Sequence, residues 1–361
     1  AEEITEALGA QVRRAVELLI QSFSESAAEA KRLGQPDPLP ARPHDAYEAA
    51  VTAMMRTVFL LFAEERGLLP SGELFDQGYG ISHELSRLSI RESDEGEEAL
   101  DGTSLTWHRL LATSRALFNG ASFESLRMPA YGGSLFDPTR FPFLSATNEH
   151  GGLAIAVSDR VMLHVLRSVQ VAAVKGDARQ ISFRDIDVEQ IGYIYEGLLG
   201  YTCAAVNQTY LGLIGTTGSE PEIPLAKLEQ LGETHTDPKA LAKAIRDWIA
   251  EDQPSAEAAS VAKITKSLKA KPEPQIISAL AQTVGEATEL SDRITPWLGI
   301  VRSDLRARPF VVLEEGLLVH ETPSRKNAGA HYTPKSLAQE VVLHTLQPLC
   351  YSPGPHQTLD E

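Results

Sequence analysis

The segment from about Asp45 to Glu65 constrains the fold most, because its apolar residues cover nearly the whole circumference of one helix. Three- and four-residue steps separate most of these residues: Val51, Met54, Met55, Val58, Phe59 and Phe62, with Leu60 and Leu61 widening the stripe. A helix that is apolar on nearly every side belongs inside a core. Gly67 is the predicted C-cap glycine, and Pro70 prevents the helix from continuing.

Other stretches repeat the helical period and predict further helices. They are Ile4–Phe23, a segment around Trp107–Phe118, a helix capped by Ser158-Asp159, Val188–Leu198, Leu241–Trp248 and Ile276–Trp297. The pattern changes after Pro309, where two short apolar runs, Phe310–Leu313 and Leu317–Val319, flank Glu314-Glu315-Gly316. This arrangement predicts a β-hairpin with a tight turn. We therefore expect a mainly α protein whose helices lead through a hairpin into an α/β region.

The length of 361 residues predicts at least two cores. Composition shifts to Gly, Thr, Ser, Pro and Glu between Gly215 and Pro224, which is typical of a boundary or linker. We predict a helical N-terminal domain over 1–214, a helical connector or insertion over 215–305, and the opening of an α/β domain over 306–361. The acidic stretch Arg91–Asp101 is predicted to be an exposed loop.

The charge balance restricts contacts with nucleic acid. Acidic residues outnumber basic ones 49 to 33, giving a net charge of −16, which repels nucleic acid at long range. The strongly basic stretch runs from Lys263 to Lys271 and carries Lys263, Lys266, Lys269 and Lys271. These lysines could contact a DNA backbone, but a run of this kind is also typical of a solvated helix face.

Cysteine and apolar content indicate an intracellular protein. Cys203 and Cys350 are the only cysteines and lie far apart, with no Cys/His cluster, so neither a disulfide framework nor a metal site is expected. No run approaches the ~20 apolar residues of a membrane span, and the start Ala1-Glu2-Glu3 lacks the basic residues of a signal peptide. We expect a cytoplasmic protein without membrane contact.

Several residue groups suggest chemistry but are better explained by structure. Glu64 and Glu65 are adjacent carboxylates, yet neighbouring residues on a helix do not face each other, so a solvated or salt-bridged helix end is favoured. The glycines and aromatic residues of 131–144 favour packing over phosphate binding, since no G-x-G-x-x-G or P-loop lysine follows. His164 and Glu196 stand alone within helical stripes, where a structural role is favoured.

A capped helix near the end of the chain has the form of an anion site. Residues Arg325-Lys326-Asn327-Ala328-Gly329-Ala330-His331-Tyr332-Thr333-Pro334 make a polar turn, and a helix is predicted from Lys335 to Leu346. Thr333 fits the N-cap, and Pro334 fits the first helical position because it lacks an N–H that would be unpaired there. The free N–H groups and positive dipole end of such a helix suit a carboxylate or phosphate, although most capped helices bind nothing.

Four landmarks, taken in order, resemble the large gamma-class DNA adenine-N6 methyltransferases of type IIG restriction–modification and of BREX- or DISARM-type phage defence. Arg325, Gly329 and Tyr332-Thr333-Pro334 with the following helix look like the family's N-terminal cofactor motif, often called motif X. The other three landmarks are Phe59–Pro70, Tyr131–Phe136 and Ile191–Leu199. The resemblance spans nearly the whole chain.

The resemblance implies that 306–361 opens a Rossmann-like methyltransferase domain. It also implies that Gly329, His331, Tyr332, Thr333 and Pro334 border a pocket for S-adenosylmethionine. His331 departs from the family, which usually has a second aromatic residue there. Neither the family's glycine-rich cofactor loop nor its Asn/Asp-Pro-Pro-Tyr/Phe motif occurs in the sequence. We therefore expect the N-terminal portion of a longer enzyme, inactive by itself, because the missing motif holds the flipped adenine.

Two functions remain open from the sequence. In the first, the chain belongs to a site-specific DNA adenine methyltransferase that uses S-adenosylmethionine, contacts double-stranded DNA through the full-length protein, and works with other proteins of a defence system. In the second, the chain is a non-catalytic helical module that docks partner proteins or DNA. No nuclease signature is present, since Pro36-Asp37 has no strand-borne acid-x-lysine after it.

Overall fold

The computed structural model describes residues 2–174, 177–184, 188–285, 287–322 and 335–350. The helices are α1 (Glu2–Arg32), α2 (Pro43–Glu65), α3 (Glu73–Gly78), α4 (Glu84–Glu95), α5 (Leu105–Asn119), α6 (Asp159–Gln170), α7 (Val188–Leu199), α8 (Leu225–Thr234), α9 (Pro238–Asp252), α10 (Val261–Lys269), α11 (Pro274–Val284), α12 (Thr288–Ile294) and α13 (Lys335–Cys350). Short 3-10 helices span Glu97–Gly102, Pro142–Ser145 and Thr295–Trp297. The strands are β1 (Ala121–Phe123), β2 (Leu126–Met128), β3 (Val171–Val174), β4 (Asp177–Gln180), β5 (Tyr201–Ala205), β6 (Tyr210–Gly212), β7 (Glu222–Pro224), β8 (Val311–Val312) and β9 (Leu317–Glu321).

The chain is mainly helical, with small antiparallel sheets. This confirms the mainly α class predicted from the apolar periodicity. The Rossmann-like opening expected after residue 306 stays a prediction. Of the residues beyond 322, the structure describes only helix α13.

The first core forms around α1 and α2. Helix α1 packs against α2, α6 and α7, and its large apolar residues from Leu8 to Phe23 are buried. Phe23 of α1 lies 6.3 Å from the ring of Trp107 and 6.0 Å from that of Phe143, so the core centre is aromatic. Rings at such distances add roughly 0.5–1.5 kcal/mol per pair beyond the burial of their area. Most of helix α2 is buried as its sequence predicts, whereas Phe59 is 41% exposed.

Local signals at the helix ends are confirmed. Gly67 has φ = 67°, and its N–H donates to the carbonyl of Glu64, as expected of a glycine after a helix. The hydroxyl of Ser158 accepts a hydrogen bond from the N–H of Val161 at the start of α6. Helix α6 ends at Gln170, where the chain turns directly into β3.

The predicted β-hairpin is wrong in its pairing, although both of its strands exist. Strand β9 pairs antiparallel with β5, joining Cys203 to Val319 in register. Strand β8 pairs with β6, which also pairs with β7, in a separate three-stranded sheet. The residues Glu314-Glu315-Gly316 therefore connect two sheets. Partners more than 100 residues away outcompete the local pairing that the turn signal suggested.

A second core lies between β5 and β9 along the chain. Its buried residues run from Leu211 to Val311 and come from the three-stranded sheet and from α8 to α12. The first core, in contrast, includes Leu317 and Val319 of β9. The segment Gly215–Pro224, predicted as a boundary, lies within the second core, where Gly215 forms a β-bridge with Ala258. The β5–β9 pair thus closes the first core around an inserted unit.

The acidic stretch Arg91–Asp101 is not the loop predicted from its composition. It continues α4 as far as Glu95 and then forms the 3-10 helix Glu97–Gly102. Ion pairs explain the difference, because Arg160 of α6 binds Glu97 at 2.7 Å and Asp101 at 3.0 Å. Arg167 pairs with Glu92 in the same way.

One helix in the described part of the chain, α2, is long and apolar enough to cross a membrane, and 78% of its most apolar window is buried inside the protein.

Candidate functional site

The residues predicted to border a cofactor pocket, Gly329, His331, Tyr332, Thr333 and Pro334, lie outside the described residues. The helix predicted to follow them is present as α13, which begins at Lys335. Its first turn contains no acidic residue. No carboxylate of α13 itself therefore lies at the positive end of the helix dipole. A helix start that binds an anion needs this end to be free of acidic side chains.

Helix α13 exposes apolar side chains that would normally be covered. Leu337, Val341, Val342, Leu343 and Leu346 have exposed fractions between 46% and 58%. At 100° per residue these positions spread over more than half of the helix circumference. A helix that is apolar on several sides is usually buried in a core. None of the three hydrophobic clusters in the described part of the chain includes a residue of α13.

The lysines predicted to contact DNA are exposed. Lys263, Lys266 and Lys269 lie on α10, and Lys271 follows its end. Ile264, on the opposite side of α10, is buried in the second core, which holds the lysine side toward solvent. Helix α10 packs along α9. The structure therefore brings Lys263, Lys266 and Lys269 together on one accessible helix face.

An ion-pair ladder joins α1 to the segment that leaves the second core. Arg302 binds both oxygens of Glu17, at 2.7 and 3.1 Å, and Arg306 binds both oxygens of Glu25 at the same two distances. Arg308 continues the ladder by binding Asp101 at 2.8 Å. Bidentate pairs of this kind fix both position and orientation. The two glutamates lie eight residues apart, about 12 Å along α1.

No local sequence pattern predicts this ladder. Its partners are more than 200 residues apart, and neither the glutamates nor the arginines follow a spacing that differs from an ordinary amphipathic surface. Only the folded arrangement identifies them. Their role is to attach the second core to α1, since Arg14 of α1 also pairs with Glu220 next to β7.

Glu222 is the electrostatically unusual member of this junction. Burial raises the pKa of its carboxyl to about 7, and Arg302 opposes this shift while Glu17 adds to it. Arg302 lies 3.4 Å from Glu222 but forms its shorter bonds with Glu17. Two carboxylates therefore share one arginine, and Glu222 holds the weaker position. An acid with a raised pKa can mark a catalytic site, but this one is enclosed between sheet and helix.

An open cleft of about 470 Å³ lies beside the ladder. Its walls come from the second half of α1, the residues before α5, the loop before α6, and the segment with Arg306 and Arg308. The lining is mixed, with apolar side chains such as Leu33 and Leu153 beside the hydroxyls of Ser22, Ser26 and Ser158. Both arginines in it are already paired with carboxylates. The volume suits a small molecule, but the arrangement does not select one.

The adjacent carboxylates Glu64 and Glu65 bind backbone instead of forming a catalytic pair. Glu64 accepts hydrogen bonds from the N–H groups of Ile81 and Ser82, at 2.7 and 3.0 Å. Glu65 accepts from the hydroxyl of Ser182. Each carboxylate anchors a different loop to the end of α2. The sequence favoured a solvated or salt-bridged helix end, whereas both carboxylates form structural hydrogen bonds.

The loop 131–144 is held by a buried arginine. Arg56 of α2 donates to the carbonyl of Leu135 at 2.6 Å and to that of Asp137 at 3.3 Å. Burial, followed by the nearby charge of Arg140, lowers the pKa of Arg56 to about 10. Phe136 packs edge-on against Phe59 at 5.4 Å. These contacts agree with the structural packing predicted for this loop.

The remaining single candidates are also structural. His164 lies 2.8 Å from Glu97 at the edge of α6, as expected for an edge histidine. Cys203 is buried in β5, and burial raises its pKa to about 12, so its thiol is not a nucleophile at neutral pH. Among the described residues no group of three or more histidine, cysteine, aspartate or glutamate side chains could hold a metal ion.

Comparison of the chain with known protein families, with curated proteins and with solved structures finds no match.

Proposed function

We propose that this chain is the N-terminal part of a site-specific DNA adenine-N6 methyltransferase that uses S-adenosylmethionine in restriction–modification or phage defence in the cytoplasm. The observation that carries the proposal is the sequence Arg325–Pro334 placed directly before α13. The three upstream landmarks in the expected order support it.

The character of α13 also supports this proposal. A motif X helix should begin immediately after Thr333-Pro334, should leave its first N–H groups free for an anion, and should be apolar enough to enter a larger core. Helix α13 begins at Lys335, carries no acid in its first turn and exposes apolar side chains on several sides. Each property suits the first helix of a catalytic domain that extends beyond the described residues.

The proposal gives each residue a limited role. Tyr332, Thr333 and Pro334 would border S-adenosylmethionine together with Gly329 and His331, and the start of α13 would lie near its methionine carboxylate. The cofactor supplies the methyl group. The described body would position the catalytic domain, and double-stranded DNA would be bound by the full-length protein.

Titration calorimetry of the full-length protein with S-adenosylmethionine tests this assignment. Tyr332→Ala and Thr333→Ala should each weaken binding about tenfold, which corresponds to about 1.4 kcal/mol for one lost wall contact. Thr345→Ala is the matched control, because Thr345 lies on α13 but donates its hydroxyl to the carbonyl of Val341. It should bind the cofactor as the wild type does. Unchanged affinity in both test variants would remove the pocket from this segment.

Methyl transfer separates this function from the non-catalytic alternative. The full-length protein should transfer a labelled methyl group from S-adenosylmethionine to adenine in duplex DNA. A helical docking module should bind its partner without any transfer. The alternative is favoured by the described body itself, which is mainly helical and exposes a basic helix face.

A further inference from the structure

Helices α9 and α10 carry a set of cations that are not used inside the fold. The set comprises Lys239, Lys243, Arg246, Lys263, Lys266, Lys269 and Lys271, all of them exposed. Other arginines of the second core are paired, as Arg293 with Glu229 and Arg302 with Glu17. Within the described part of the chain, none of the seven pairs with an acid. Stability of the fold therefore does not explain their presence.

The cations of α9 form a compact row. At 100° per residue, Arg246, Lys239 and Lys243 fall within about 60° of one another. On one side of this row lie the buried residues Ala242 and Ile249, and on the other side lie the exposed acids Asp247 and Glu251. The row is about 10 Å long. It was not apparent in the sequence, because the three residues are separated by three- and two-residue gaps instead of forming a run.

The cations of α10 point away from the core. Lys263, Lys266 and Lys269 fall within about 120° of one another, opposite the buried Ile264. Ile264 lines the same small apolar space as Ile245 and Ile249 of α9. The two helices are therefore joined through their isoleucines, and each of them turns a row of cations toward solvent.

The local charge contrasts with that of the whole protein. Residues 238–271 contain seven cations and four carboxylates, an excess of three positive charges, whereas the full chain carries −16. Against such a background, a polyanion can approach only where the potential is locally reversed. Each row is long enough to meet more than one phosphate of a nucleic acid, while a small anion could contact only one or two of the cations.

We propose that the α9–α10 surface binds the phosphate backbone of duplex DNA and holds it against the inserted second core. The proposal rests on the proposed function, from which DNA follows as the substrate. Six of the seven cations are lysines, which attract phosphate as point charges and do not read base edges as a bidentate arginine does. The surface therefore supplies affinity and orientation, and sequence recognition belongs elsewhere in the full-length protein.

The experiment measures binding of the full-length protein, without S-adenosylmethionine, to a fluorescein-labelled 30-base-pair duplex by anisotropy between 50 and 200 mM salt. One triple variant changes Lys263, Lys266 and Lys269 to Glu, and another changes Lys239, Lys243 and Arg246 to Glu. Each should lower affinity at least tenfold and reduce the slope of log affinity against log salt by about two to three, since each lost phosphate contact removes about 0.9.

A matched control changes Arg115, Arg140 and Arg179 to Glu, three exposed cations of the first core. This control carries the same change in net charge and should retain most of the affinity and the salt slope. Thermal unfolding of all variants by circular dichroism confirms that they fold, and triple Lys→Gln versions replace any that do not. Equal losses in the control and the test variants would overturn the proposal, as would wild-type binding in both test variants or no duplex binding by the wild type.

The outcome is separate from that of the cofactor test. If S-adenosylmethionine fails to bind while the two test variants lose DNA, the methyltransferase assignment fails and the DNA surface stands. If cofactor binding follows the prediction while the variants keep the DNA affinity and salt slope of the wild type, this surface is wrong and the methyltransferase assignment stands.

Discussion

At the scale of single residues, the buried carboxyl of Glu222 has an electrostatic cost at the junction between the two cores. Its carboxyl faces Arg302, Glu17 and Arg13, and burial raises its pKa from 4.5 to about 7. The folded protein therefore prefers Glu222 protonated, while the unfolded chain ionises it at a lower pH. Folding stability contributed by this residue must then fall as pH rises between these two values.

Replacing Glu222 with Gln removes this titration, so we expect a gain in folding stability that depends on pH. Below about pH 4.5 both states of the wild type are protonated at this position, so the variant should gain nothing from the charge. Above about pH 7 the wild type buries a carboxylate, and the variant should be more stable by about 1–3 kcal/mol. Melting temperatures of both proteins at pH 5 and pH 8 measure the difference. The same difference in melting temperature between the two proteins at pH 5 and at pH 8 would contradict a raised pKa of Glu222.

At the scale of elements, Gly212 and Gly197 differ in the space available for a side chain. A β-carbon built on Gly212 of β6 would lie 2.6 Å from Cδ1 of Phe310 and 2.8 Å from Nε of Arg302. Arg302 in turn stacks 3.8 Å above the ring of Phe310. Strand β6 can therefore approach this stack only without a side chain. Gly197 of α7, in contrast, has open space around its β-carbon position and a helical backbone.

Substitution by alanine should change the folding stability in opposite directions at these two sites. Gly212→Ala should destabilise the protein by about 1–3 kcal/mol, because the methyl group overpacks a filled site. Gly197→Ala should stabilise it by about 0.5–1 kcal/mol, because alanine loses less entropy in a helix. Urea unfolding of both variants beside the wild type measures the two changes. An unchanged free energy of unfolding for Gly212→Ala would show that the Arg302–Phe310 stack moves aside without cost.

Helices were predictable from the sequence because their signals are local. The apolar stripe of α2, the serine cap of α6 and the glycine after α2 each act within a few residues. Strand pairing was not predictable in the same way. The runs that form β8 and β9 were identified, but their partners β6 and β5 are more than 100 residues away, and no local pattern encodes that choice.

Candidate sites divide in the same manner. The α10 lysines were visible because they are close in sequence, whereas the α9 row needed the helix and its packing to be known. Helix geometry favoured a structural role for Glu64 and Glu65, and both form hydrogen bonds that anchor loops. Their true partners, the backbone of 81–82 and the hydroxyl of Ser182, could not be foreseen, since any polar group brought nearby would have served.

At the scale of the whole molecule, the second core is an insertion that the ion-pair ladder fastens to α1. Arg302 is its central member, because it holds Glu17 and Glu222 together and stacks on Phe310. Removing one partner of a buried pair leaves the other charge without compensation, which costs far more than losing an exposed pair.

Arg302→Met should therefore destabilise the protein by about 3–5 kcal/mol, through the two carboxylates left behind. Arg293→Met, which breaks the exposed pair with Glu229, is the control and should cost at most about 1 kcal/mol. Hydrogen exchange should accelerate in β6, β7 and β8 of the first variant, where the second core meets α1. Similar stability losses in both variants would mean that the ladder does not hold the cores together.

The contacts of α1 with residues far along the chain have a consequence for the protein during its synthesis. Helix α1 leaves the ribosome before its partners, because Ser24 bonds to the backbone of Leu317 and Glu17 bonds to Arg302, nearly 300 residues later. At about 5–20 residues per second, these partners emerge about 15–60 s after α1 does. For that time the buried face of α1 has no complete cover in the nascent chain. A chaperone that binds apolar helices has its longest opportunity there, and ribosome pausing before residue 302 would extend it.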